Sequence, residues 1–89
     1  MMEKSAIASV LDEIATLLEL TGENPFKIRA YSNGARILET LTEDLDELIK
    51  NDKLAEIPGM GEALVDKITT LRRDGVLPFH QKLKASIPP

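Results

Sequence analysis

Five consecutive residues, Ile57-Pro58-Gly59-Met60-Gly61, constrain this chain more than any other feature. Proline cannot continue a helix and has no donor N–H. Two glycines two apart open backbone angles closed to other residues and strip the turn of side chains. Apolar residues flank the segment at helical spacing: Leu54 and Ile57 before it, Leu64, Val65, Ile68 and Leu71 after it. The segment therefore reads as two short helical pieces joined by a tight, bare turn, clamped together by Leu54, Ile57, Leu64 and Ile68. Gly61 opens the second helix. Its first N–H groups have no intrahelical partner and its dipole end is positive, so a phosphate fits there.

The rest of the chain is helical by the same reasoning. Ile7, Val10, Leu11, Ile14, Leu17 and Leu18 predict a first helix over residues 5 to 20, with Ser5 as its N-cap and Thr21-Gly22 as its end. Asn24-Pro25 is a start signal for a second helix, with Ile28, Tyr31, Ala35, Leu38 and Leu41 as its apolar stripe. Gly34 inside that stripe costs about 1 kcal/mol of helix propensity, which suits a close approach of a second helix or a ligand. Thr42 is expected to cap a short third helix, and Asp74-Gly75 to end the helix after the hairpin. Pro78 is expected to open a last short turn through Leu83. No stretch alternates with period two for long enough to form a strand.

The expected fold is all-α: a compact bundle of four main helices with the hairpin exposed. The predicted core is Ile7, Leu11, Ile14, Leu18, Tyr31, Leu38, Leu48, Leu54, Ile57, Leu64, Ile68 and Leu71. With 89 residues the chain suits one domain, assigned to residues 1–85, with 86–89 as the start of a linker to further domains. It has no cysteine, so neither a disulfide nor a thiolate metal site exists, and its one histidine, His80, reads as a surface residue. With no bilayer-length apolar run and no signal-peptide pattern, a cytoplasmic location is expected.

Charge at first argues against nucleic acid, because 15 acidic residues outnumber 11 basic ones. The distribution is uneven, however. Residues 39 to 56 are strongly acidic, whereas 27 to 36 hold Lys27, Arg29 and Arg36 with no acid. Lys67, Arg72, Arg73, Lys82 and Lys84 follow the hairpin. A basic face with an acidic back satisfies this pattern. A phosphate held by main-chain N–H groups also needs few basic side chains.

The extended pattern L-x-x-I-P-G-M-G-x-x-x-V-x-K-I resembles the helix-hairpin-helix motif of DNA repair and replication proteins. The stretch Asn24-Pro25-Phe26-Lys27-Ile28-Arg29-Ala30-Tyr31, then Ala35-Arg36, is similar to the second helix of the N-terminal domain of family X DNA polymerases, the DNA polymerase beta-like domain of bacterial type. The resemblance covers nearly the whole chain. It implies sequence-independent DNA binding at a gap, a 5′-phosphate end or a single-strand/duplex junction. It assigns Gly59, Met60, Gly61, Lys27, Arg29, Tyr31 and Lys67 to DNA contact, and the Met60 and Gly61 N–H groups to a phosphate. It also implies a monovalent cation on the backbone carbonyls of Ala55, Ile57 and Met60. Polymerase domains of the same protein, with their divalent metals, are expected beyond this chain.

The family resemblance further implies 5′-deoxyribose-phosphate lyase chemistry, with Lys67 as the nucleophile and Lys27 and Tyr31 beside it on one helix face. A Schiff-base lysine must be neutral to attack, so desolvation or neighbouring cations must favour its free amine. Two positions that carry phosphate-binding lysines in the family hold Ala63 and Phe79 here, which predicts weak chemistry at most. The plainer reading of Lys67 is a solvated helix lysine. The competing functional class is a protein-docking module without nucleic-acid binding, favoured by the net acidic charge.

Overall fold

The computed structural model describes residues 2–86, and every described element is helical. Helix α1 spans Lys4–Leu20, α2 Pro25–Thr40, α3 Leu45–Lys50, α4 Glu62–Asp74 and α5 Pro78–Ser86, with a single 3-10 turn at Leu54–Glu56. The all-α expectation holds. The last element runs on to Ser86 instead of stopping near Leu83. Ser86, placed in the linker by the sequence, ends this helix, and residues 87–89 lie outside the described residues.

Local signals explain most boundaries. Asn24 Oδ1 accepts the Phe26 N–H at 2.8 Å, and Pro25 sits at the first helical position of α2. Gly22 (φ 76°) and Gly75 (φ 73°) take left-handed angles just beyond α1 and α4. Two expected caps are displaced. Glu3, not Ser5, precedes α1, with no side-chain cap. Asp44, not Thr42, caps α3: its Oδ1 accepts from Asp46 N at 2.9 Å and Glu47 N at 3.4 Å. Thr42 turns its hydroxyl to Glu43. An ionised carboxylate is the stronger acceptor for orphan amides at a positive helix end.

The antiparallel α1–α2 pair forms the base of the core. Ile7, Leu11, Ile14, Leu38, Leu54, Ile68 and Leu71 are sealed from solvent. A Cβ on Gly34 would lie 3.1 Å from Leu64 Cδ1, so the glycine is there for α4 to approach α2. Lys4 Nζ donates to the Leu41 carbonyl at the end of α2. Arg72 of α4 pairs with both oxygens of Asp46 at 2.8 Å and donates to the Met2 carbonyl, tying α4 to α3 and to the chain start.

The predicted core needs three corrections. Leu48 and Ile57 are only partly buried, because the short α3 and the hairpin lie at the bundle's edge. Met60 and Leu77 join the core instead. His80, expected at the surface, is 6% exposed because α5 folds back on α1. Its Nε2 lies 3.3 Å from Glu13 Oε2 but is not aligned for a hydrogen bond. No described helix is long and apolar enough to cross a membrane.

Candidate nucleic-acid interface

The hairpin is a tight turn in which Met60 N–H donates to the Ile57 carbonyl at 3.0 Å. Pro58 occupies the second position and Gly59, at φ 92°, the third, the residue pattern of a type II turn. A Cβ on Gly59 would meet Ile37 Cδ1 at 2.9 Å, so the turn lies directly on α2. This corrects one expectation. The Met60 N–H is used inside the turn and its side chain is 4% exposed in the core. Met60 anchors the hairpin and does not offer its amide to a ligand.

Gly61 differs from Gly59. Its backbone is extended (φ −79°, ψ 165°), which any residue adopts, and a Cβ there would meet nothing within 4 Å. Neither strain nor crowding within the chain excludes a side chain. Gly61 precedes α4 with no side-chain cap, and Gly61, Glu62 and Ala63 are all exposed. The N–H groups of Gly61, Glu62 and Ala63 find no acceptor among the described residues. The start of α4 is thus an open, uncapped, positively polarised helix end. Glu62 in its first turn works against an anion there.

Beside it, α4 presents Lys67. The Tyr31 and Phe79 rings stack with centroids 6.0 Å apart and an interplanar angle of 17°. Lys67 Nζ lies 5.0 Å from the Phe79 centroid and 6.0 Å from that of Tyr31. The structure therefore brings together Lys67 and Tyr31, as the sequence expected, and adds Phe79 from α5. Tyr31 is 5% exposed, and burial raises its phenol's pKa above the ordinary value. Its hydroxyl has no hydrogen-bond partner among the described residues and is not sealed from solvent. Lys67 is half-buried with no carboxylate within ion-pair distance among the described residues.

Lys27 is exposed one turn before Tyr31 on α2. Arg29 is also exposed, its guanidinium 6.0 Å from the ring of Phe26. Phe26 is 78% exposed, a large aromatic left bare in the first turn of α2. Sequence reasoning passed over it, although its place after Pro25 and beside Lys27 was a usable signal. Two basic residues after the hairpin are occupied elsewhere: Arg72 by Asp46 and Arg73 by Asp74. Each pairing holds its aspartate below the usual carboxylate range, through the hydrogen bond first.

The carbonyls of Ala55 and Met60 accept no hydrogen bond among the described residues, while that of Ile57 receives the Met60 N–H. No group of three or more His, Cys, Asp or Glu side chains is placed for a metal among the described residues.

The profile of a helix-hairpin-helix domain matches residues 2–77. The chain is 30% identical over 87 residues to the DNA polymerase/3′-5′ exonuclease PolX of Bacillus subtilis (strain 168). That alignment covers 98% of this chain and 15% of the relative, so the chain spans a small part of the protein it resembles. Hairpin geometry and family profile agree, and the chain belongs to the helix-hairpin-helix domain family.

Proposed function

We propose that this domain binds DNA without sequence preference at a gap or single-strand/duplex junction, within a family X repair polymerase. The observation that carries this is the open space at Gly61. The fold does not require a glycine there, and a phosphate would use the room and the free N–H groups of Gly61, Glu62 and Ala63. Lys67, Lys27 and Arg29 add charge around that end, and bare Phe26 offers a ring on which an unpaired base can stack. The carbonyls of Ala55, Ile57 and Met60 would hold a monovalent cation, which would add positive charge beside the phosphate. Few cations are free to engage and the net charge is negative, so affinity of the isolated domain is low and falls as salt rises.

Gly61→Ser tests this reading. Serine is a favoured N-cap, so the variant is expected to melt at the same temperature or higher. Its hydroxyl would take the first-turn amides and fill the open space, so binding of gapped DNA should fall. Unchanged binding in a folded G61S variant would remove the hairpin from the interface.

A second reading concerns chemistry at Lys67, favoured by its half-burial against Tyr31 and Phe79. The neutral amine would attack C1′ of the ring-opened sugar. Loss of water gives an imine; removal of a C2′ proton then breaks the C3′–O bond and releases the downstream strand with its 5′-phosphate. With a single cation in the cluster the sugar is held loosely and turnover is slow. Borohydride trapping on DNA bearing a 5′-deoxyribose phosphate, lost in Lys67→Ala, would assign the nucleophile. No trapping in either protein leaves a binding domain only. The docking-module alternative predicts no DNA-dependent amide shifts at residues 59–63.

A further inference from the structure

We propose that the groove between α3 and α4 is a docking site for a basic amphipathic helix of a partner protein. Its floor is apolar: Leu48 and Ile49 of α3 and Val65 and Thr69 of α4 are all half-buried and keep part of their surface in solvent. Thr69 Oγ1 donates to the Val65 carbonyl at 2.7 Å, so the hydroxyl is used inside α4 and needs no partner in the groove. Two hollows of about 430 and 230 Å³ meet at Ile49 and Thr69. A pair of basins on either side of one isoleucine suits successive side chains on one face of an entering helix. A compact small molecule would fill one and leave the other open. Lys67 stands two residues from both Val65 and Thr69, and residues two apart on a helix do not face each other. The groove is therefore on the other side of α4 from the proposed DNA contacts.

Charge selects the occupant. At one end of the groove Arg72 is paired with Asp46 and Arg73 with Asp74, so neither arginine offers free charge. The other end is rimmed by Asp52 and Asp66, both exposed and without an ion-pair partner among the described residues. Residues 39 to 56, which include α3, hold seven acidic residues and two lysines, and one of those lysines, Lys53, is paired with Glu56. Such a field repels phosphate and draws lysine or arginine placed beside apolar anchors. DNA is thus the wrong occupant. A second copy of this chain would bring a net charge of -4 to an already negative groove.

The test titrates a synthetic helical peptide into the isotopically labelled chain. The peptide carries leucines at i, i+3, i+4 and i+7 and lysines elsewhere. Amide shifts should cluster at residues 48–52 and 65–69. One control peptide scatters the same leucines around the helix, and another replaces its lysines by glutamates. Both should bind about fivefold more weakly or worse. Thr69→Lys puts a like charge in the groove without loss of helix propensity and should abolish the shifts. Asp52→Asn with Asp66→Asn should weaken binding about threefold or more. Asparagine tolerates the left-handed backbone of residue 52 (φ 56°). Circular dichroism checks folding, and if T69K does not fold, the aspartate pair, at exposed positions, carries the test. Equal binding of the scattered peptide would mean contact by charge alone, and equal binding of the glutamate peptide would reject a basic partner. Movement of the same amides by gapped DNA, or dimerisation through the groove in sedimentation, would give it another occupant. Each of these results overturns the proposal, as does the absence of shifts at about 1 mM peptide.

Discussion

Gly59 and Ile37 are in mutual contact across the hairpin and α2, at a distance that leaves no room for a Cβ on the glycine. Two separate penalties follow for Gly59→Ala. The left-handed backbone angle costs an L-residue about 1–2 kcal/mol. The clash with Ile37 Cδ1 adds less, because the end of a side chain can turn aside. Thermal melts should therefore show a clear loss of stability in G59A. Ile37 itself packs against the core, so the clash is read from a double-mutant cycle: in an Ile37→Ala background, Gly59→Ala should cost less than in the wild type, but only by the smaller share. No cost in that background would mean that crowding, not backbone strain, dictates the glycine.

Gly34 and Leu64 set a different balance. Alanine at a helix interior gains about 1 kcal/mol over glycine. Here its Cβ would press on Leu64 Cδ1 at 3.1 Å, and Leu64 is buried with little room to yield. Overpacking of this kind costs about 1–3 kcal/mol. Gly34→Ala should thus destabilise the wild type. In a Leu64→Ala background, where the space is vacant, the same change should stabilise. A double-mutant cycle by denaturant titration reads the sign reversal directly.

Asp46 and Arg72 join α3 to α4, and their pairing holds the Asp46 carboxyl below its ordinary pKa. A carboxyl with a depressed folded pKa stabilises the native state above its unfolded pKa. That stabilisation disappears as pH falls through the folded value. Asp74, paired with Arg73, contributes in the same direction. Melting temperature should therefore drop on acidification below the ordinary aspartate range. Asp46→Asn should melt lower than wild type near neutrality, and the two curves should converge in acid. Parallel curves over the whole range would show that the pair does not couple to folding.

Glu62 places a negative charge in the first turn of α4, where it favours the helix dipole and opposes a DNA phosphate. Glu62→Gln is expected to lower stability by roughly 0.3–1 kcal/mol. The same variant should bind gapped DNA several-fold more tightly, by anisotropy. Tighter binding from a less stable protein separates an effect at the interface from a general effect on folding.

Salt dependence reports how many cations engage. Lys67→Ala should weaken binding similarly across DNA sequences and reduce the slope of log affinity against log salt by about one. Arg72→Ala should leave that slope unchanged, because its guanidinium is already committed to Asp46 and Met2. An equal change in slope for both variants would contradict the assignment of free cations.

Much of this molecule was legible from local chemistry. The period of the apolar residues foretold α1, α2 and α4, and Asn24-Pro25, Thr21-Gly22 and Asp74-Gly75 marked their ends, because caps and left-handed glycines act within a single turn of chain. The hairpin was legible for the same reason, since Pro58 and Gly59 determine a turn wherever they stand. What only tertiary structure decided involves partners distant in sequence. Packing on α2 separates the two hairpin glycines, leaving Gly59 forced and Gly61 free. The turn's own hydrogen bond and the core take Met60 away from any ligand. The return of α5 across α1 buries His80 and lays Phe79 on Tyr31 under Lys67. These outcomes depend on which helix face meets which neighbour, and that is settled by the whole core packing at once.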